Sequence, residues 1–306
     1  MVIQDIVVFG GSAHPDLTAA ICAELRVVPG RVALTRFAND CLQVQLDDDC
    51  RERDVYLIQP LTAPVQEHLV ELMMMSDAAR GDSAARITAV VPYYAYARSD
   101  KRDAPRISLG GRLVADALRT SGVRHLLTMA LHSPQVNGFF SMPVDNLNAF
   151  EELAGHFRQY DLARTTVVAP DLGYAKEAEA FARILGVEVA FGVKQRLSDN
   201  QVTISHVIGL TPDRDIIVLD DEIANGSTVL ELLARLRESE PRSIRVATTH
   251  GLFSNCALTR LESQRDVLEI VCTNTVPLPT GPVPDKVRVL SVAHAFAEAI
   301  RRIHRG

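Results

Sequence analysis

The 306-residue sequence has no apolar run approaching the roughly 18 residues a helix needs to cross a bilayer, which excludes a helical membrane span. It also lacks an excess of positive charge: 32 Lys and Arg stand against 38 Asp and Glu, and no basic stripe occurs. A nucleic-acid partner is therefore not expected, and any phosphate site has to be local. The five cysteines, Cys22, Cys41, Cys50, Cys256 and Cys272, are scattered and odd in number, without a CxxC pair. That speaks against a disulfide framework and a thiolate zinc site, and fits a reducing cytosol. Nor is there a basic leader with a long apolar segment behind it. Met1 runs straight into the strand-like Ile6–Gly10, so no signal peptide is expected and a cytoplasmic place is.

What is present has an ordinary globular balance, 47% hydrophobic and 23% charged. The length is about twice that of a common domain, so two domains with a core each are expected. Short apolar runs alternate with amphipathic stretches: Ile6–Phe9, Val55–Ile58, Ile87–Val91, Val167–Ala169, Ile216–Leu219 and Val246–Thr248. That alternation predicts an α/β chain whose parallel sheets are covered on both faces. An internal repeat of about 160 residues accompanies it. The strand Asp54-Val-Tyr-Leu-Ile, a helix with Val70-Glu-Leu and the strand Arg86-Ile-Thr-Ala recur as Asp215-Ile-Ile-Val-Leu, Leu230-Glu-Leu and Arg245-Val-Ala-Thr. The expected division is 1–147, 148–290 and a terminal amphipathic helix within 291–306 that packs back on the first domain.

The densest local signal is the strand Ile216–Leu219 running into Asp220-Asp221-Glu222-Ile223-Ala224-Asn225-Gly226-Ser227-Thr228, with a helix from Val229. Paired carboxylates at the carboxyl end of a parallel strand stand where α/β sheets bind ligands, and they can accept from two vicinal sugar hydroxyls. The small turn leads into a helix N-terminus, whose unpaired N–H groups and positive dipole end suit a phosphate. The same residues also read as a plain helix cap behind a solvated acidic turn. Two adjacent acids after four apolar residues favour the sugar-and-phosphate reading, on a loop expected at the surface. The stretch resembles the ribose-phosphate loop of the type I phosphoribosyltransferase fold, which implies two tandem domains of that fold. In the first half the equivalent strand ends in Gln59-Pro60, so only the second half is expected to keep a sugar site.

Further strings resemble the ribose-phosphate pyrophosphokinase family, in its order and over nearly the whole chain. They are Arg36-Phe37, Val91–Arg98, His132–Gln135, Gly138–Phe140, Pro143–Leu147, Pro170-Asp171, Thr249–Ser254 and Thr273–Thr275. The resemblance implies transfer of a diphosphate from ATP or another nucleoside triphosphate to the 1-hydroxyl of ribose 5-phosphate. Mg2+ as cofactor and a homo-oligomer, dimer or hexamer, are implied with it. Such a transfer needs cations on the moving group. The resemblance assigns that role to Lys194 and Arg196, after the strand Val187–Phe191, although an isolated Lys-x-Arg is an ordinary surface pair. It implies nucleotide contacts from Phe37, Asn39, Arg98, Ser99, Asp100 and His132, and a metal environment of His132 and Asp171. Magnesium prefers oxygen, so His132 is expected to reach phosphate or a hydrated ion. The implied ribose-phosphate site is Asp220, Asp221, Ala224, Asn225, Gly226, Ser227 and Thr228.

Departures from the family gather on the nucleotide side. The acids that follow its Arg-Phe, and approach adenine from a neighbouring subunit, are Asn39 and Cys41 here. A thiol does not replace a carboxylate that accepts from an exocyclic amino group, so weak discrimination among nucleotides is expected. The family's Asp two residues before the histidine is Ala130, its Gln after the nucleotide-site Arg is Ser99, and its second Gly after Pro-Asp is Tyr174. Its Asp-Thr opening of the phosphate loop is Ala224-Asn225. The alternative reading is a non-catalytic regulatory homologue; a phosphoribosyltransferase would leave the first half's strings unexplained.

Overall fold

The computed structural model describes residues 6–198 and 201–306, the side chains of 195–198 and 201–202 excepted. The chain divides into two compact units, one ending at Leu147 and completed by Val292–Gly306, the other Asn148–Ser291.

In chain order the first unit contains β1 (Ile6–Gly10), α1 (Pro15–Leu25), β2 (Val32–Arg36), β3 (Leu42–Leu46), β4 (Asp54–Ile58), α2 (Val65–Gly81), β5 (Arg86–Val91), α3 (Gly110–Ser121), β6 (His125–Met129) and β7 (Val144–Leu147). Five strands form a parallel sheet in the order β1-β4-β5-β6-β7. β1, β4 and β5 are buried almost throughout, as strands covered on both faces must be. Leu69, Leu72, Met75 and Ala79 recur at helical spacing on α2 and join Val114 and Leu118 of α3 in the core beside the sheet.

The second unit follows with α4 (Phe150–Phe157), β8 (Thr165–Ala169), α5 (Ala175–Leu185), β9 (Glu188–Ser198), β10 (Gln201–Ile208), β11 (Asp215–Ile223), α6 (Ser227–Leu236), β12 (Ser243–Gly251), α7 (Ala257–Glu262), β13 (Val267–Thr273) and β14 (Val287–Leu290). Its sheet runs β10-β9-β8-β11-β12-β13-β14, parallel except for the β9–β10 hairpin at one edge. The order β8-β11-β12-β13-β14 repeats β1-β4-β5-β6-β7. In the first unit the matching hairpin, β2–β3, is a separate two-stranded sheet, joined to β1 through the Gly30 N–H on the Val8 carbonyl at 2.7 Å.

The repeat differs from its sequence alignment in one respect. Asp54 lies opposite Arg86, but Asp215 lies opposite Ser243, and Arg245 is opposite Ile217. The strands correspond while the arginines do not: the Ser243 hydroxyl takes the place beside Asp215, donating at 2.6 Å.

The last helix, α8 (Ala293–Arg305), lies within the expected 291–306, and the second unit keeps Ser291. It packs on α1 as α4 packs on α5, so the first unit takes this helix from the far end of the chain. Phe296, Ala297 and Ile300 are its buried stripe. A polar clasp fixes its end. Asp54, buried, accepts from Tyr56 Oη at 2.9 Å and Arg86 Nε at 2.9 Å, and meets His304 Nδ1 at 2.9 Å. Burial works to raise the Asp54 carboxyl, but these partners outweigh it and hold it below its ordinary range.

Candidate active site

β11 does not stop at Leu219. β12 runs on to Gly251 and supplies backbone partners, so β11 continues to Ile223, with Asp220 opposite Thr248 and Glu222 opposite His250. The acid pair is therefore the last part of a central strand and not an exposed loop: Asp221 and Glu222 are 4% and 5% exposed, and Asp220 is half-buried. Two adjacent carboxylates away from water cannot both ionise freely. Burial pushes the Asp220 carboxyl well above its ordinary range, and the charges of Asp221 and Asp171 push the same way. The Asp221 N–H, donating to Asp220 Oδ1 at 3.0 Å, offsets this only in part. Burial, then the charges of Asp221 and Asp220, also raise the phenol of Tyr174, which places this departure from the family beside the acid pair.

Asp171 follows β8. Its Oδ1 accepts from the Gly173 N–H at 2.7 Å, capping the turn Leu172–Tyr174, and its Oδ2 accepts from Lys194 Nζ. The expectation that Lys194 lies beyond its strand is corrected: β9 extends to Ser198 because β10 pairs with it, and Lys194 sits opposite Ile204. The Lys194 and Asp171 side chains are 37% and 31% exposed, so their pair contributes little stability and stays within reach of a ligand. Arg196 comes two residues later on β9, and its side chain lies outside the described residues.

The turn Ala224–Gly226 leads into α6, which starts at Ser227 and so includes Ser227 and Thr228 in its first turn instead of starting at Val229. Asn225 Oδ1 accepts from Ser227 N at 3.1 Å and from Ser227 Oγ at 2.8 Å. Gly226 has φ 72°, where a side chain is strained, and a Cβ there would come 3.2 Å from Ala257 of α7. The loop is thus a tight turn at a helix N-terminus, with the Ser227 N–H and hydroxyl turned onto Asn225.

The equivalent place in the first unit is filled by its own side chains. Gln59, fully buried, accepts from the Ala13 N–H at 3.1 Å through Oε1. Glu71, 1% exposed, accepts from Ser12 N at 2.7 Å and from Ser12 Oγ at 2.5 Å. A Cβ at Gly11 would meet the Gln59 amide at 2.4 Å, so the glycine lets that amide pack against the turn.

The remaining predicted residues all belong to the first unit. Phe37 is 51% exposed at the β2–β3 turn, which closes through Phe37 N on the Cys41 carbonyl at 2.9 Å. Asn39 Oδ1 accepts from Cys41 N at 3.2 Å, so its acceptor already serves the turn. Arg36 ties the hairpin to α2 through Glu67 at 2.5 Å. Arg98 is exposed, whereas Asp100 is half-buried. Ser99 caps α3: its hydroxyl accepts from Gly110 N at 2.8 Å and donates to the Ser108 carbonyl at 3.3 Å. β6 ends at Met129, because Ala130 turns out at φ 46° with its N–H on the Leu147 carbonyl at 2.8 Å. His132 follows, exposed. Sequence reasoning did not single out buried Glu222 or Arg260, whose guanidinium donates to the Asn225 carbonyl.

A family model described as the N-terminal domain of ribose phosphate pyrophosphokinase matches residues 6–122, and one described as the phosphoribosyl synthetase-associated domain matches residues 193–306. The ribose-phosphate pyrophosphokinase of Deinococcus radiodurans is 42% identical over 98% of this chain and 95% of its own length. The chain belongs to the ribose-phosphate pyrophosphokinase family. A Streptomyces coelicolor protein, named provisionally as a ribose-phosphate pyrophosphokinase, is 68% identical over 99% of this chain and 96% of its own. The solved phosphoribosylpyrophosphate synthetase of Mycobacterium smegmatis superposes with a TM-score of 0.92 at 34% identity, covering 98% of this chain and 99% of that one. Two tandem α/β phosphoribosyltransferase-like domains are the architecture of that family. Similarity at this level along the whole chain favours the catalytic reading over the non-catalytic homologue.

Proposed function

We propose that the protein is a ribose-phosphate diphosphokinase that moves the β,γ-diphosphate of ATP, or of another nucleoside triphosphate, to ribose 5-phosphate. The 1-hydroxyl oxygen forms the new bond to the β-phosphorus, the bond from that phosphorus to the α,β-bridging oxygen breaks, and the nucleoside monophosphate leaves. The observation that carries this reading is the acid pair Asp220-Asp221 ending in a helix-capped glycine turn, with the Lys194–Asp171 pair near it in the same unit.

The acid pair accepts from the vicinal hydroxyls of the ribose, and the N–H groups and hydroxyls of Gly226–Thr228 hold its 5-phosphate. Lys194, and Arg196 beside it in sequence, bring positive charge to the transferring group as its oxygens gain charge. Arg98 and His132 contact the nucleotide phosphates, and Phe37 offers a face to the base. Asn39, Ser99 and Asp100 complete the nucleotide set. An exposed Phe37 on a projecting turn also supports a homo-oligomer, dimer or hexamer, in which that turn serves a neighbour's nucleotide.

Among the described residues no three metal-ligating side chains converge into a cage. Mg2+ asks for none, being held through one or two carboxylates together with substrate phosphates. A carboxylate oxygen of Asp171 would suit that hard cation, and His132 would reach phosphate or the hydrated ion. When bound, Mg2+ neutralises charge on the diphosphate. Among the described residues no helix is long and apolar enough to cross a membrane.

The test is a 31P spectrum of the purified protein with ribose 5-phosphate, ATP and Mg2+. A diphosphate attached at C1 and AMP in equal amounts support the proposal, while ADP with a ribose bisphosphate contradicts it.

A further inference from the structure

The phosphate loop is braced from outside its own turn. α7 sets Ala257 against Gly226, and three residues later Arg260 donates from Nη2 to the backbone carbonyl of Asn225. The Phe253 N–H donates to the Ile223 carbonyl at 2.9 Å, so the connection from β12 into α7 grips the loop at its start as well. The far end of α7 is itself pinned: the Arg260 carbonyl accepts from Ser263 Oγ at 2.8 Å and Gln264 Nε2 at 3.0 Å.

Charge makes this contact more than a brace. Arg235 is neutralised by Glu238 at 2.8 Å and Arg237 by Asp266 at 2.7 Å, but among the described residues no carboxylate pairs with Arg260. Its guanidinium spends one donor on the loop and keeps its charge and other donors uncommitted. The loop offers a phosphate only neutral N–H and O–H groups, close in sequence to three carboxylates, Asp220, Asp221 and Glu222. A dianion held there needs a cation nearby.

We infer that Arg260 is a positioning residue for ribose 5-phosphate: it holds the Asn225 peptide so that the N–H groups of Gly226–Thr228 converge, and it supplies the positive charge the loop lacks. This rests on the ribose-phosphate reading of the loop given above.

The experiment compares the unsubstituted protein with Arg260→Gln and Arg260→Lys, by calorimetry with ribose 5-phosphate and by steady-state kinetics in both substrates. Arg260→Gln is expected to weaken the Kd and raise the KM for ribose 5-phosphate by about tenfold or more, as loss of a charged hydrogen bond implies. The kcat and the KM for ATP should stay within about twofold, because neither depends on holding the 5-phosphate. Arg260→Lys, which keeps the charge but not the fork, should recover part of the affinity. Equal losses in kcat and in both KM values would overturn the inference. If the unsubstituted protein binds ribose 5-phosphate and Arg260→Gln binds it equally well, Arg260 alone is removed. If the unsubstituted protein does not bind it, the reading of the loop falls and takes this inference with it.

Discussion

The ammonium of Lys194 rests on Asp171 Oδ2 while the other oxygen of the same carboxylate caps the turn Leu172–Tyr174. The strand that carries the cation and the turn that follows β8 thereby meet at the carboxyl end of β8 in the second sheet. A lysine paired in this way is already in place for a developing negative charge, and needs only to exchange partners. Lys194→Ala is expected to lower kcat by about a hundredfold or more, the cost of removing a cation or donor aimed at transition-state charge. Ribose 5-phosphate affinity should stay within about threefold. Single-turnover kinetics and calorimetry on one preparation decide the point, and a kcat loss under about tenfold would remove Lys194 from the chemistry.

Asp220 links binding to pH. Its carboxyl is raised in the folded protein by burial and by Asp221 and Asp171, so the folded state holds this proton more tightly than the unfolded state does. The stability this contributes is full below the unfolded value of about 3.9 and is lost as pH rises through the raised folded value. Wherever the pH forces this raised carboxyl to ionise, it weighs against the fold. Asp220→Asn should raise the Tm of the unliganded protein while the double change with Asp221→Asn abolishes ribose 5-phosphate binding. In the unsubstituted protein, affinity should fall as pH drops through a value above the ordinary carboxylate range. Comparison with Asp220→Asn cancels the titration of the substrate phosphate; parallel profiles would rule out Asp220 as the titrating group.

Three of the five thiols are closed to chemistry. Burial pushes Cys22 and Cys50 up to about 11 and Cys272 up to about 12, while Cys41 and Cys256 are exposed. Alkylation of the native protein should stop at two, and ATP should slow the reaction at Cys41 on the β2–β3 turn. Peptide mapping with and without nucleotide reads this directly; equal rates at Cys41 would detach that turn from the nucleotide site.

The same turn predicts weak choice of base. Asn39 both donates and accepts, and its acceptor is already engaged with Cys41 N. GTP should support turnover with a kcat/KM within about tenfold of ATP, since one polar contact to the base is worth roughly 1 to 1.5 kcal/mol. An ATP preference above about a thousandfold would show that other groups read the adenine.

The clasp on α8 makes a stability prediction. Asp54 is held below its ordinary range, so its stabilisation is present above the unfolded value of about 3.9 and is lost as pH falls through the lower folded value. Asp54→Asn should cost about 2–3 kcal/mol at pH 7, toward the low end for a buried pair because Arg86 is 37% exposed. Urea unfolding at pH 7 and near pH 3 checks it: the two proteins should converge at the lower pH.

Much of this molecule is legible in the residues because parallel strands covered on both faces must be apolar, and paired acids stop such a strand from looking like core. The acid pair, the glycine turn and the emptied first-half counterpart all announce themselves in this way. Strand length is less visible. β11 reaches Ile223 and β9 reaches Ser198 because neighbouring strands offer partners, whatever the polarity of Asp220 or Lys194. Ser99 is the converse case. Its hydroxyl accepts from Gly110 N, a partner that only the packing of α3 brings near and that no local pattern announces. Arg260 carries no local signal either, since its contact with Asn225 joins residues 35 apart.

The most direct test of the central claim is to follow the oxygen of the ribose 1-hydroxyl. With 18O at that position and unlabelled ATP, Mg2+ and the purified protein, the label is predicted to appear in the bridge between C1 and the β-phosphorus of the product, and none of it in the released AMP. Recovery of the label in AMP, or folded protein that binds both substrates and forms no such bridge, would contradict the account.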